Sequence, residues 1–259
     1  MIVRINNSEL NYTLIKPKKS RSDSAVLLFL HEALGSIGQW KNFPQDLCDE
    51  LGLTGIVYER QGHGASSPFT SPRDHMYLHD YALKELPEFV EKEIKEKSII
   101  LVGHSDGGTI ALLYANKYPS NLLGIITMAA HVINEPETVA GILPAVDAYK
   151  AGKLNGLRKY HGEKTETLFY AWADTWRSKE FADWNICNEI GSSLVPGLFI
   201  QGAEDQYGTI EQLKLIQQKF NNLGKTVMLE DCGHHPHLEK SAEVISLITK
   251  WISDSIAIS

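Results

Sequence analysis

"IILVGHSDGGTIALLYA", Ile99 to Ala115, carries the decision about the fold. An apolar run stops at a small, polar hexapeptide and resumes with helical spacing, so the stretch reads as a buried strand, a tight turn and a helix. Across the turn, Gly103, Ser105 and Gly107 form G-x-S-x-G. In this setting the glycines leave room for close backbone approach, and the serine is lifted above the strand on a strained elbow. It also stands at a helix N-terminus, where free N–H groups and the dipole favour a developing negative charge. Ser105 is therefore expected to be a nucleophile. Its neighbour Asp106 is the anomaly, because a carboxylate beside a reacting oxygen opposes that charge.

Outward from this stretch the same grammar repeats. "AVLLFL" (25–30), "TGIVYE" (54–59), "LLGIITMA" (122–129), "VPGLFIQG" (195–202) and "KTVMLE" (225–230) are short continuous β-type runs alternating with helical patterns. Strands covered on both faces need such unbroken runs. "MIVRIN" and "LNYTLIKP", separated by "NSE", read as an opening hairpin. The expectation is an α/β fold with a mostly parallel eight-stranded sheet and helices on both faces. Helices are expected over 39–51, 74 to about 95, 109–118, 209–220 and 241–252. Between Ala130 and Val195 lie roughly 60 residues, far more than an ordinary crossover, rich in aromatics such as Phe169, Trp172, Trp176 and Trp184. This divides the chain into a core (1–130 and 195–259) and a helical cap (131–194).

In open parallel sheets ligands sit at the carboxyl ends of the strands. Those positions are chemically rich here: "HEALGS" (31–36), "GHSDGG" (103–108), "QGAEDQYGT" (201–209) and "DCGHHPHLE" (231–239). A serine hydroxyl needs a base to take its proton, and the base needs an orienting group. Glu204 and Asp205 are candidates for the second role, His234, His235 and His237 for the first. A metal reading of "HHPH" has little support, because a proline interrupts it and no carboxylate or cysteine completes a ligand set.

On these residues the chain resembles the α/β-hydrolase superfamily, from the hairpin to the last helix with the cap included. The resemblance implies Ser105 as nucleophile, Asp205 (three residues after Gly202) as acid and His234 as base, with the backbone N–H groups of Asp106 and Ala33 as oxyanion hole. It implies no cofactor and no metal. His131 follows the strand before the cap and is expected to line the substrate pocket together with Leu34, Trp172, Trp176 and Tyr207. The implied activity is acyl transfer to water, first on a small carboxylic ester with an apolar or aromatic acyl group. Carbon–carbon bond hydrolysis of ring-cleavage products, thioester hydrolysis and cofactor-free perhydrolysis use the same residues, and a non-catalytic ligand receptor could retain the fold.

Two residues depart from the family's pattern. His31 is followed by Glu32 where glycine is usual, and Asp106 stands where Met, Gln or Leu is common. Two like charges about 4 Å apart repel by roughly 4 kcal/mol at an effective dielectric near 20. Both side chains are therefore expected to turn away from the oxyanion or to be neutralised, with Arg60 as a cationic partner for a structural Asp106. The alternative role for Asp106 is to bind a cationic group of the substrate. His63, in the turn after the 54–59 run, is expected at the surface.

Of 259 residues, 43% are hydrophobic and 22% charged, and the net charge of -7 argues against a grip on nucleic-acid phosphates. With neither an apolar leader nor a membrane-length apolar run, the expectation is a cytoplasmic protein without membrane association. Cys48, Cys187 and Cys232 are too scattered for a disulfide framework. The expected partner is a small molecule, and the oligomeric state stays open.

Overall fold

The computed structural model describes residues 1–21, 25–191 and 194–256. Strands β1 (Ile2–Ile5), β2 (Ser8–Ile15), β3 (Ala25–Leu30), β4 (Thr54–Tyr58), β5 (Ser98–His104), β6 (Leu122–Met128), β7 (Gly197–Gly202) and β8 (Gly224–Leu229) form one sheet. Its order is β1-β2-β4-β3-β5-β6-β7-β8. β2 runs antiparallel to β1 and β4, and every other pairing is parallel.

Central β3 shows why the runs are unbroken. Val26, Leu28 and Leu30 enter one hydrophobic core while Ala25, Leu27 and Phe29 enter the other. Helices α1 (Phe43–Leu51) and α7 (Ser241–Ser255) cover the second core through Leu47, Ile248 and Trp251. The first core takes α2 (77–93), α3 (Asp106–Lys117), α4 (Pro136–Lys150), α5 (Thr165–Trp176) and α6 (Ile210–Phe220). Helices α4 and α5 lie between β6 and β7 in sequence. Among the described residues no helix is long and apolar enough to cross a membrane.

The elements depart from the sequence expectation at their ends. The hairpin turn is only Asn6-Asn7, with strand pairing resumed at Ser8. The 39–51 helix is split: Lys41 takes a left-handed φ of 54°, and Pro44 restarts the chain as α1. Within α2 a π-turn spans Tyr81–Glu85. Pro87 has no N–H to give the Leu83 carbonyl, which accepts from the Tyr118 hydroxyl instead (3.3 Å). Helix α3 begins at Asp106, three residues before Thr109, because the glycines after Ser105 are already helical.

Candidate active site

The turn between β5 and α3 has the strain its spacing demands. Ser105 sits at φ 52°, ψ −118°, a conformation L-residues avoid. A Cβ at position 107 would lie 1.9 Å from the Leu30 carbonyl oxygen, so only glycine lets the elbow settle against β3. The Ser105 amide donates to the Met128 carbonyl (2.8 Å), pinning the turn to β6.

Two further strand ends converge on the serine. His234, after β8, places Nε2 2.9 Å from Ser105 Oγ. Its Nδ1 faces both Asp205 oxygens, at 2.8 and 2.9 Å. Asp205, after β7, is itself held by the Tyr207 amide (2.9 Å) and the Gln201 side chain (3.1 Å). Burial pushes the Asp205 carboxyl up, but the adjacent, hydrogen-bonded His234 ring, then His131 and the Tyr207 amide, outweigh it and leave it below the ordinary range. Glu204 is exposed, and His237 is buried against the Trp40 ring. Glu239 accepts from the amides of Gly233 (2.7 Å) and His235 (2.9 Å), bracing the loop that carries His234. Such a row can move a proton from hydroxyl to imidazole while the carboxylate holds the ring.

The loop after β3 is anchored through its carbonyls. Arg60, buried, donates Nη1 to the His31 carbonyl (2.6 Å) and Nη2 to that of Glu32 (2.9 Å). His63 Nε2 lies 3.0 Å from the Ala33 carbonyl. His161 accepts from the Gly64 amide at Nδ1, so its Nε2 carries the proton donated to the Leu34 carbonyl (2.9 Å). Two expectations are corrected here. Arg60 does not meet Asp106; its planar fork spans two successive carbonyls. His63 is not at the surface but fully buried, filling the space beneath this loop. Neither residue had a sequence signal for that placement.

A family model described as "Alpha/beta hydrolase family" matches residues 27–247. The chain belongs to that family. Among its relatives, a proline iminopeptidase of Saccharolobus solfataricus is 31% identical, over 96% of this chain and 90% of that protein. A proline iminopeptidase of Thermoplasma volcanium is 26% identical, over 95% and 94%. Among solved structures, the enol-lactonase of Burkholderia xenovorans LB400 superposes with a TM-score of 0.76 at 14% identity, covering 98% of this chain and all of that one (100%). That last likeness is one of fold.

Within this family member, Ser105 opens into a cavity of about 630 Å³. Leu34, His131, Trp172, Trp176 and Tyr207 all line it, beside Ala33 and Asp106. His131 is fixed by its Nε2, which donates to the Tyr207 carbonyl (2.9 Å), and burial followed by the nearby His234 lowers its basicity. Asp106 is buried, and its Oδ2 accepts from the Tyr77 hydroxyl (2.9 Å), which in turn accepts from Trp176 Nε1 (2.7 Å). The Arg73 guanidinium lies 4.3 Å above the Tyr77 ring. The cation near enough to feel the Asp106 charge is thus Arg73. Glu32 Oε2 is 3.2 Å from His104 Nδ1. Burial pushes the Glu32 carboxyl up, yet the bond and charge of His104 hold it well below the carboxylate range. Tyr77, Arg73, His104 and His161 are site residues that sequence reading missed. Only His104, inside the G-x-S-x-G motif, carried any local signal. Among the described residues no group of three or more metal-ligating side chains gathers.

Proposed function

We propose that the protein is a serine hydrolase acting through an acyl-enzyme, most readily on small carboxylic esters with an apolar acyl group. One observation carries this: a strained Ser105 whose hydroxyl, the His234 ring and the Asp205 carboxylate form one hydrogen-bonded row. His234 takes the Ser105 proton as Oγ attacks the carbonyl carbon, and returns it to the leaving oxygen as the carbon–oxygen bond breaks. Water, deprotonated by the same ring, then cleaves the acyl-enzyme and frees Ser105. The carbonyls of 31–34 are anchored by hydrogen bonds, and Ala33 lines the cavity beside Asp106; the amides of these two residues receive the oxyanion. Residues 131–194 serve as a cap, its walls from α4 and α5 closing over the acyl group.

A second reading has its own support. Asp106, next to the serine, and Glu32 both put an acid on the wall of the cavity, and the two relatives named above are proline iminopeptidases. On that reading the substrate is an N-terminal imino or amino acid amide whose cation pairs with Asp106.

The test is hydrolysis of p-nitrophenyl esters from C2 to C12 and of prolyl p-nitroanilide by wild type and Ser105→Ala. Ester turnover that drops by about 10³-fold or more in the variant supports the first reading. Anilide turnover well above ester turnover moves the assignment to the second. Substantial activity in Ser105→Ala excludes both, and no turnover together with no fluorophosphonate labelling of Ser105 points to a receptor.

A further inference from the structure

Glu32 and His104 have no part in the proton transfers above, yet they are built into the site. His104 is the last residue of β5, wholly buried, one position before Ser105. Its Nε2 donates to the backbone carbonyl of His234 at 2.7 Å. Its Nδ1 faces Glu32 Oε2, from the loop after β3. One imidazole therefore ties together the three strand ends that carry the hydroxyl, the base and the oxyanion amides. The chain makes room for it: a Cβ at position 35 would lie 2.7 Å from Glu32 Oε2, so the carboxylate folds over Gly35 into space a larger residue would fill. Rings of His234, His235, His237 and Trp40 pack around His104 at centroid distances of 5.2, 5.0, 4.5 and 6.4 Å, leaving it no freedom to turn.

We propose that Glu32 and His104 are a positioning couple: the Glu32 carboxylate orients the His104 ring, and His104 holds the backbone of His234 so that its Nε2 stays within reach of Ser105 Oγ. The inference rests on the serine-hydrolase reading and gives the carboxylate of Glu32 a purpose. It acts at the second remove, as the Asp205 carboxylate does at the first, but on the main chain of the base rather than on its ring. Misplacing a reacting group by about 1 Å can cost on the order of a hundredfold in rate, so a looser hold has a measurable consequence.

The test compares wild type, Glu32→Gln, His104→Gln and the double variant. Three readouts are used: kcat and KM on the best p-nitrophenyl ester, the rate of Ser105 labelling by a fluorophosphonate, and proton NMR of the hydrogen-bonded imidazole N–H groups. Glu32→Gln is expected to melt near wild type, to lose about tenfold in kcat with KM within about twofold, and to label proportionally more slowly. The proton shared by His104 Nδ1 and Glu32 should vanish from the spectrum, and the His234 Nδ1 proton facing Asp205 should shift. The double variant should lose no more than His104→Gln alone, as expected of residues acting as a unit. Wild-type kcat and labelling in Glu32→Gln overturn the couple while leaving the hydrolase reading intact. A wild type that neither labels nor turns over refutes the hydrolase reading, and the spectrum still judges the couple: a His234 proton unmoved by Glu32→Gln rejects it.

Discussion

Asp106 shows how a residue that looks wrong in sequence becomes reasonable in three dimensions. Its carboxylate caps a buried chain of donors, Trp176 to Tyr77 to Asp106, with Arg73 stacked over the Tyr77 ring. The charge is directed into this network, and on the proposed function the backbone amide of the same residue receives the oxyanion. Asp106→Ala removes the acceptor of a buried hydroxyl and should cost about 1–3 kcal/mol, read as a lower urea midpoint. Asp106→Asn keeps an acceptor and should melt near wild type. If Asp106 instead binds a substrate cation, Asp106→Asn raises KM for prolyl p-nitroanilide selectively and leaves KM for p-nitrophenyl acetate alone; equal effects on both exclude that role. The elbow itself was legible from Gly103, Ser105 and Gly107, since only a strand running into a helix through small residues fits that spacing. The Tyr77 partner was not, because the two residues are 29 positions apart and belong to different helices.

Helix α5 is the element on which pocket and scaffold meet. Leu168, Phe169, Trp172, Ala173 and Trp176 are buried on it, while Glu166 and Asp174 face out, an amphipathic pattern that the sequence reading places only within a helical cap, without bounds for this helix. Its two tryptophans do different things: Trp172 presents its ring to the cavity and packs at 6.0 Å from Tyr207, whereas Trp176 also donates to Tyr77. Trp176→Phe should lose about 1 kcal/mol of stability with the missing hydrogen bond, and the space left by the indole should move the ester preference toward longer acyl chains. The ester series from C2 to C12 checks this. An unchanged chain-length profile would place Trp176 outside the acyl pocket.

Across the whole molecule, buried ionisable groups set the response to pH. Burial pushes the imidazoles of His31, His63 and His237 well below their ordinary range and His235 to about 4, with Arg60 adding to the effect on His31 and His63. These rings stay neutral in the fold while the unfolded chain takes up protons, so stability is expected to fall as pH drops below about 6.5. Glu85 works in the opposite direction. Burial raises its carboxyl from 4.5 to about 7, against the pull of the Gln61 amide and Arg60. The folded state keeps that proton longer than the unfolded chain, so its contribution is intact below 4.5 and lost as pH rises through 7. Glu85→Gln keeps an acceptor for the Gln61 amide and removes the charge. It should exceed wild type in stability at pH 8 by on the order of 3 kcal/mol and match it near pH 4.5, as measured by urea midpoints. Equal midpoints at both pH values would mean that Glu85 is not held protonated.

The sequence by itself determined the alternation of strands and helices, the elbow at Ser105 and the strand ends where Asp205 and His234 stand. Each of these rests on local pattern: unbroken apolar runs, a turn only small residues can make, and chemistry placed just past a strand. What only the tertiary structure decided is the set of contacts between such places. Arg60 and His63 went to the carbonyls of the 31–34 loop, Asp106 went to Tyr77, and Glu32 went to His104. A side chain's partner depends on which elements the sheet order makes neighbours and on which buried acceptors would otherwise lack a donor. Neither condition is written in the spacing of residues along one strand or helix.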